Sequence, residues 1–535
     1  MILENKNKEI PIIDLFAGPG GLAEGFSSVL VNEKRFFKIE LSIEKEENAH
    51  KTLELRSFCR QFAPGKLPPE YYDVLKETNL YERDNKIQLL YKNYIEEYSC
   101  AKNEAWLAEL GEDNFPPELI DKRINNVLNG FKNWVLIGGP PCQAYSLAGR
   151  SRVGGIDTDD KRVYLYKQYL KIIATHQPAV FVMENVKGLL SAKITEEGQE
   201  DISIFEMIKD DLRDPSIIFP DTNSKKYRIH SLVTSDIKDN KDYLIKTELY
   251  GIPQKRHRVI LLGIREDIEF EPGTLEKKPE VTLKSVIGKL PAIRSGLGRE
   301  IISSKNIDGK KKRIYQDIQD SQENWEKYIK KYKDALTKMP QSVIATDMKE
   351  INAPELGIGS EYMKADQTID ADHLLSSWFL DKKMDGITHH ISRAHLVEDL
   401  ERYLFASSFS QTEKSFPRMR DYERLSPSIM PDHDSAKTGK FEDRFRVQLP
   451  DIAATTVTCH ISKDGHYFIH YDPKQCRSFT VREAARVQTF PDNYLFCGAR
   501  TAQFHQVGNA VPPYLAYQIG EIVKDLLIEV QNQNL

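Results

Sequence analysis

A chain of 535 residues is too long for one ordinary hydrophobic core and predicts two or three globular units. With 29% charged and 40% hydrophobic residues, it is too apolar for a disordered chain and too polar for a membrane protein. Its densest apolar runs, residues 134–139 and 259–264, have the length of strands rather than of a membrane-spanning helix, and the opening residues lack a signal-peptide pattern. The net charge of −5 offers no general attraction for nucleic acid. A basic run, Lys310-Lys311-Lys312-Arg313, followed by Lys330, Lys331, Arg418, Arg420 and Arg424, nevertheless leaves room for a local basic face. Cys59, Cys100, Cys142, Cys459, Cys476 and Cys497 form no C-x-x-C pair, so neither a zinc site nor a disulfide framework is expected and the thiols should be reduced, as in the cytoplasm. Five of them read as space-filling; Cys142 alone stands in a chemically unusual context.

Four β-rich runs in the first third each stop abruptly. Residues 10–16 lead into Ala17-Gly18-Pro19-Gly20-Gly21, residues 37–43 into Glu44, residues 134–137 into Gly138-Gly139-Pro140-Pro141-Cys142-Gln143, and residues 179–183 into Glu184-Asn185. In an open parallel α/β sheet ligands bind at the carboxyl ends of strands, so chemistry at successive strand ends predicts one shared crevice. From about residue 55 to 130 a tyrosine-rich stretch with helical spacing reads as a largely helical insertion. From 295 to 445 charge runs and prolines replace the alternation, which predicts a second, smaller and irregular domain. Regularity returns from 446 to 535, where 480–490 reads as a helix.

The glycine-rich segment after the first run lets the backbone approach a ligand closely, and Glu44 at the next strand end is placed to accept hydrogen bonds from ribose hydroxyls. Pro140 and Pro141 stiffen the backbone leading to Cys142, which suits a nucleophile: a thiolate attacks an electron-poor carbon well. Glu184 can point into the same crevice and act as a hydrogen-bonding acid toward a ring nitrogen. The segment Gln254-Lys255-Arg256-His257-Arg258 offers guanidinium groups to a phosphate or a base edge. The glycines at 149, 154 and 155 mark residues 143–160 as a mobile lid.

These blocks together, with 477–492 and 506–513 near the end, resemble the DNA cytosine-5 methyltransferase family, in the family's order and across both ends of the chain. The resemblance implies an α/β fold: a Rossmann-like S-adenosylmethionine-dependent methyltransferase domain over 1–294, a target-recognition domain over 295–445, and a 446–535 segment that returns to complete the first. It implies that Phe16, Gly18, Gly20, Glu44, Pro140, Asn509 and Val511 contact S-adenosylmethionine, that Cys142, Glu184 and Arg258 face a cytosine flipped from double-stranded DNA, and that no metal is needed. It further implies a monomer of restriction-modification or orphan type; any companion restriction endonuclease would form no stable complex with it. The family's third-strand acid has no clear counterpart. An RNA cytosine methyltransferase and a DNA-binding protein with an inactive methyltransferase fold are the competing readings; intact Cys142, Glu184 and Arg258 argue against the second, and a full variable region against the first.

Overall fold

The computed structural model describes residues 9–141, 161–194, 202–307, 310–338, 352–431 and 442–533. Its centre is an eight-stranded sheet. The strands are β1 (Ile10–Leu15), β2 (Phe37–Glu44), β3 (Ala105–Leu107), β4 (Val135–Gly138), β5 (Val180–Val186), β6 (Tyr227–Ser231), β7 (Leu244–Lys246) and β8 (His257–Arg265). Across the sheet they run β6-β8-β5-β4-β1-β2-β3, with β7 also paired to β8. The pairs from β5 through β3 are parallel, whereas β8 lies antiparallel to β5, β6 and β7.

Both faces of the sheet are covered, so its strands read as continuous apolar runs with successive side chains entering different cores. Ile12, Ile39, Val135, Ile137, Val182 and Leu262 pack on the side of helices Gly21–Ser27 and Pro513–Gln533. Ile13, Leu41, Leu136, Phe181 and Leu261 pack on the other, with helices Pro117–Leu128 and Ile204–Arg213. The stretch read as one helical insertion departs from expectation: besides its helices it carries β3, the edge strand.

The middle of the chain is more regular than its pattern suggested. It contains two hairpins, Arg299–Ile307 with Lys310–Asp317 and Gly359–Lys364 with Gly386–Ile391, and long helices at Gln322–Thr337 and Val397–Glu413. The helices meet in a separate apolar cluster with Trp325, Ile329, Leu400, Tyr403 and Phe445, while Met363, Phe379 and Ile387 join the main core. Residues 466–471, apolar enough to suggest a strand, make only isolated bridges through Ile469.

Helix Val481–Val487 stands between these regions and is buried on every side. Arg477 makes a bidentate pair with Glu483 at 2.7 Å for each bond, Arg486 pairs with Asp492 at 2.6 and 2.9 Å, and Arg482 holds Thr388. Around it lie buried histidines. His389 accepts the Phe496 N–H on Nε2 (3.1 Å), so its proton sits on Nδ1 facing Glu361, while His390 lies between the Pro291 carbonyl at 2.8 Å and Thr480 Oγ1 at 3.1 Å. Burial pulls His389, His390 and His470 down to about 4.

The unfolded chain binds protons at these histidines near pH 6.5 and the folded chain does not, so their contribution to stability is whole above about pH 6.5 and is lost as pH falls toward 4. Each contributes a slope of about 1.4 kcal/mol per pH unit within that window. The thermal unfolding midpoint should therefore fall steeply between neutral pH and pH 5; an unchanged midpoint would show that these rings are not held neutral.

Candidate active site

The carboxyl ends of β1, β2, β4 and β5 open on one cavity of about 810 Å³. Its first wall is the turn after β1. Phe16 and Gly18 have φ of +57° and Gly20 of +92°, left-handed values that cost a β-carbon but not glycine. Gly20 itself does not line the cavity; a β-carbon there would press on Leu53 and Tyr494. Gly21 lies so close to the Val511 carbonyl that a β-carbon would stand 2.4 Å from it.

Glu44 ends β2 on the next wall. Its carboxylate accepts the Gly18 N–H at 2.7 Å through one oxygen and the Lys45 and Glu46 N–H groups at 2.9 and 2.7 Å through the other. Burial raises its pKa, and the three N–H donors oppose that rise. Glu44 thus braces the glycine turn, a role its sequence position did not announce. Beyond it, Ala108, Glu109 and Leu110 line the cavity just after β3, and Glu109 pairs with Lys45 at 2.6 Å, so the third-strand end missing from the sequence reading is here.

β4 delivers Gly139, Pro140 and Pro141 to the cavity; Cys142 and the lid expected over 143–160 lie outside the described residues. A β-carbon on Gly139 would sit 3.0 Å from Glu184 Oε2, so glycine lets that carboxylate lie against the strand end. Glu184, near the end of β5, meets Arg258 from β8 with Oε1 2.7 Å from Nε, both side chains 14% exposed. The contact is an ion pair without hydrogen-bond alignment at Nε, while Arg258 Nη1 donates to the His257 carbonyl.

Arg256 is buried and also lines the cavity; it donates to the carbonyls of Val457 (2.8 Å) and Gly508 (3.2 Å), and burial drives its pKa well down. With Gln254, which donates to Gln488 at 2.8 Å, and Gln488, which donates to the Val507 carbonyl at 2.6 Å, it anchors the segment that brings Asn509 and Val511 to the cavity. Cys459 also lines the cavity and Cys100 is exposed, so neither simply fills space, whereas Cys59 and Cys476 do.

Glycines where close approach is required, a strand-end carboxylate, mixed apolar and polar walls, and a volume in the usual range for small-molecule sites (about 300–1,000 Å³) fit a nucleoside-bearing cofactor. The profile of the C-5 cytosine-specific DNA methylases matches residues 90–213 and 239–525. The chain belongs to that family. The methylase is 31% identical over 532 residues to a type II methyltransferase of Bacillus paralicheniformis, covering 96% of this chain and 99% of the relative. It is 26% identical over 439 residues to a DNA (cytosine-5-)-methyltransferase of Aeropyrum pernix, covering 75% and 83%. In fold it is similar to a prophage-encoded E. coli chain described as a DNA modification methyltransferase, with TM-score 0.50, 18% identity, and 97% and 100% of the chains covered. The methylase is a DNA (cytosine-5-)-methyltransferase, and family and fold imply S-adenosylmethionine as methyl donor. No helix among the described residues is long and apolar enough to cross a membrane.

Proposed function

We propose that the enzyme methylates C5 of a cytosine flipped out of duplex DNA, through a covalent bond from Cys142 to C6, within a bacterial restriction-modification system or as an orphan enzyme. The observation that carries the reading is the meeting of Glu184 and Arg258 on the wall of a cavity shared with the glycine turn, Glu44 and Pro141, the residue before Cys142.

Phe16, Gly18, Gly20, Glu44, Pro140, Asn509 and Val511 hold S-adenosylmethionine. C5 of cytosine is a poor nucleophile until the ring is activated. The Cys142 thiolate adds to C6, Glu184 shares a proton with N3 as negative charge arrives there, and Arg258 both orients Glu184 and stabilises the carbonyl side of the ring. S-adenosylmethionine, when bound, supplies the electrophilic methyl for the activated carbon. A base then removes the C5 proton and the thiolate leaves. The ring face is stacked in a duplex, so the base must be extruded at a cost of about a few kcal/mol.

The division into a catalytic domain (1–294), a recognition domain (295–445) and a completing segment (446–535) is part of this reading, as is a monomeric, cytoplasmic enzyme that forms no stable complex with any companion endonuclease. The separate apolar cluster around Trp325, Tyr403 and Phe445 supports a distinct recognition unit.

Transfer of tritiated methyl groups tests the reading: duplex DNA of mixed sequence should be labelled at cytosine C5, and RNA should not. Label in RNA alone would favour the RNA enzyme, and none in either would favour a binding protein. Glu44→Ala should weaken S-adenosylmethionine binding by about 1–3 kcal/mol, the cost of leaving polar groups unpaired, with DNA affinity little changed. Calorimetry giving an unchanged cofactor affinity would remove Glu44 from the cofactor site.

A further inference from the structure

The strands Arg299–Ile307 and Lys310–Asp317 pair only with each other, and an isolated two-stranded ribbon is marginal in water. Its root holds it. Gly298 N–H donates to the His395 carbonyl at 2.9 Å, Ile301 N–H to Glu398 at 2.8 Å, and the Tyr328 hydroxyl to Glu300 at 3.1 Å. Past the root the ribbon leaves the protein: Ile302 is 54% exposed, and Ser303, Ser304, Lys305, Lys312 and Tyr315 are exposed as well.

Charge is divided along the ribbon. Glu300, Asp317 and Arg299, opposite Asp317, lie at the root, and the outer part carries Lys305, Lys312 and Arg313 with no acidic residue among the described ones. Lys305 lies directly opposite Lys312, and neither forms an ion pair among the described residues. Like charges directly opposite across a strand pair are unfavourable unless a counter-charge lies alongside. The chain carries −5 overall, which sets the ribbon apart from its surroundings.

The root adjoins the cavity wall. Gly296 N–H donates to the Arg393 carbonyl, and the Arg393 guanidinium lies 4.5 Å over the Phe504 ring and donates to the Ile461 carbonyl at 2.7 Å. Phe504 belongs to helix Arg500–Asn509, whose Thr501 and His505 line the cavity.

We propose that this ribbon is a phosphate arm, lying along the sugar–phosphate backbone of the substrate duplex and holding it by charge without reading its bases. The proposal rests on the reading of the chain as an enzyme of duplex DNA. Lysine suits the role, since it meets phosphate as a flexible point charge. From Ile302 outward the strand reaches about 20 Å at about 3.3 Å per residue, alongside a duplex that carries one negative charge per roughly 1.7 Å of axis.

The test is the salt dependence of binding of the full chain to a short mixed-sequence duplex, read by fluorescence anisotropy, for the wild type and for Lys305→Gln/Lys312→Gln. Each phosphate contact adds about 0.9 to the slope of log affinity on log salt, so the double variant should be shallower by about 1.8; between 50 and 200 mM salt the wild type should lose about 12-fold more affinity than the variant. Cofactor affinity and the set of methylated sequences should not change. If the double variant does not fold, Lys312→Gln alone should lower the slope by about 0.9. An unchanged slope would overturn the proposal and leave the lysines only guarding exposed strand edges. An altered set of methylated sequences would also overturn it, because the ribbon would then read bases. Failure of the wild type to methylate any duplex counts against the proposed function instead, and the salt slope still judges the ribbon.

Discussion

Replacing Glu184 by glutamine should slow methyl transfer by about 10²–10⁴-fold, the range over which a positioned acid or base acts, while S-adenosylmethionine affinity stays near that of the wild type. Glutamine keeps the shape that fits against Gly139, where a β-carbon would stand 3.0 Å from the carboxylate, so the fold is not challenged. What is lost is the proton that the side chain shares with N3 and the negative charge opposite Arg258, 2.7 Å away. Arg258 would then stand uncompensated beside buried Arg256, whose pKa burial and Arg258 already depress. Single-turnover measurements at saturating DNA separate this from a binding defect. A rate within a few-fold of the wild type would remove Glu184 from the chemistry and leave it a partner of Arg258 only.

The sequence made the catalytic half legible because strands buried on both faces read as apolar runs, and four of them stop at glycine, proline or acid. β1, β2, β4 and β5 are found close to where those runs lie, and Phe16, Gly18, Glu44, Pro140, Glu184, Arg258, Asn509 and Val511 share one cavity. Less was visible where a residue acts through a neighbour distant in the chain. Arg256 sits in a segment that reads as a charge run, yet it is buried against the carbonyls of Val457 and Gly508; no local pattern distinguishes such a brace from a surface arginine. β3 is three residues long and lies at the sheet edge within a helical stretch, too short for periodicity to register. In the middle region, Trp325, Ile329, Tyr332 and Leu336 do follow helical spacing, but the lysines between them obscured it. Glycine serves close approach and tight turns alike, and Gly20, with φ of +92°, sits in the turn beside the cavity-lining Pro19 and Gly21.

The central claim is the bond between Cys142 and the base, and DNA carrying 5-fluorocytosine at the target position tests it most directly. Fluorine cannot leave C5 as a cation in the way hydrogen leaves as a proton, so addition and methyl transfer proceed while the elimination that frees the thiolate does not. A stable protein–DNA adduct should accumulate, only when S-adenosylmethionine is present, and Cys142→Ser should abolish it while still binding the duplex. Among the described cysteines Cys459 is the one that also lines the cavity, which makes it the proper control. Mass spectrometry of the digested adduct should find the base on Cys142. A base attached to Cys459, an equal yield from Cys142→Ser, or no adduct from an enzyme that methylates ordinary DNA normally would contradict the account.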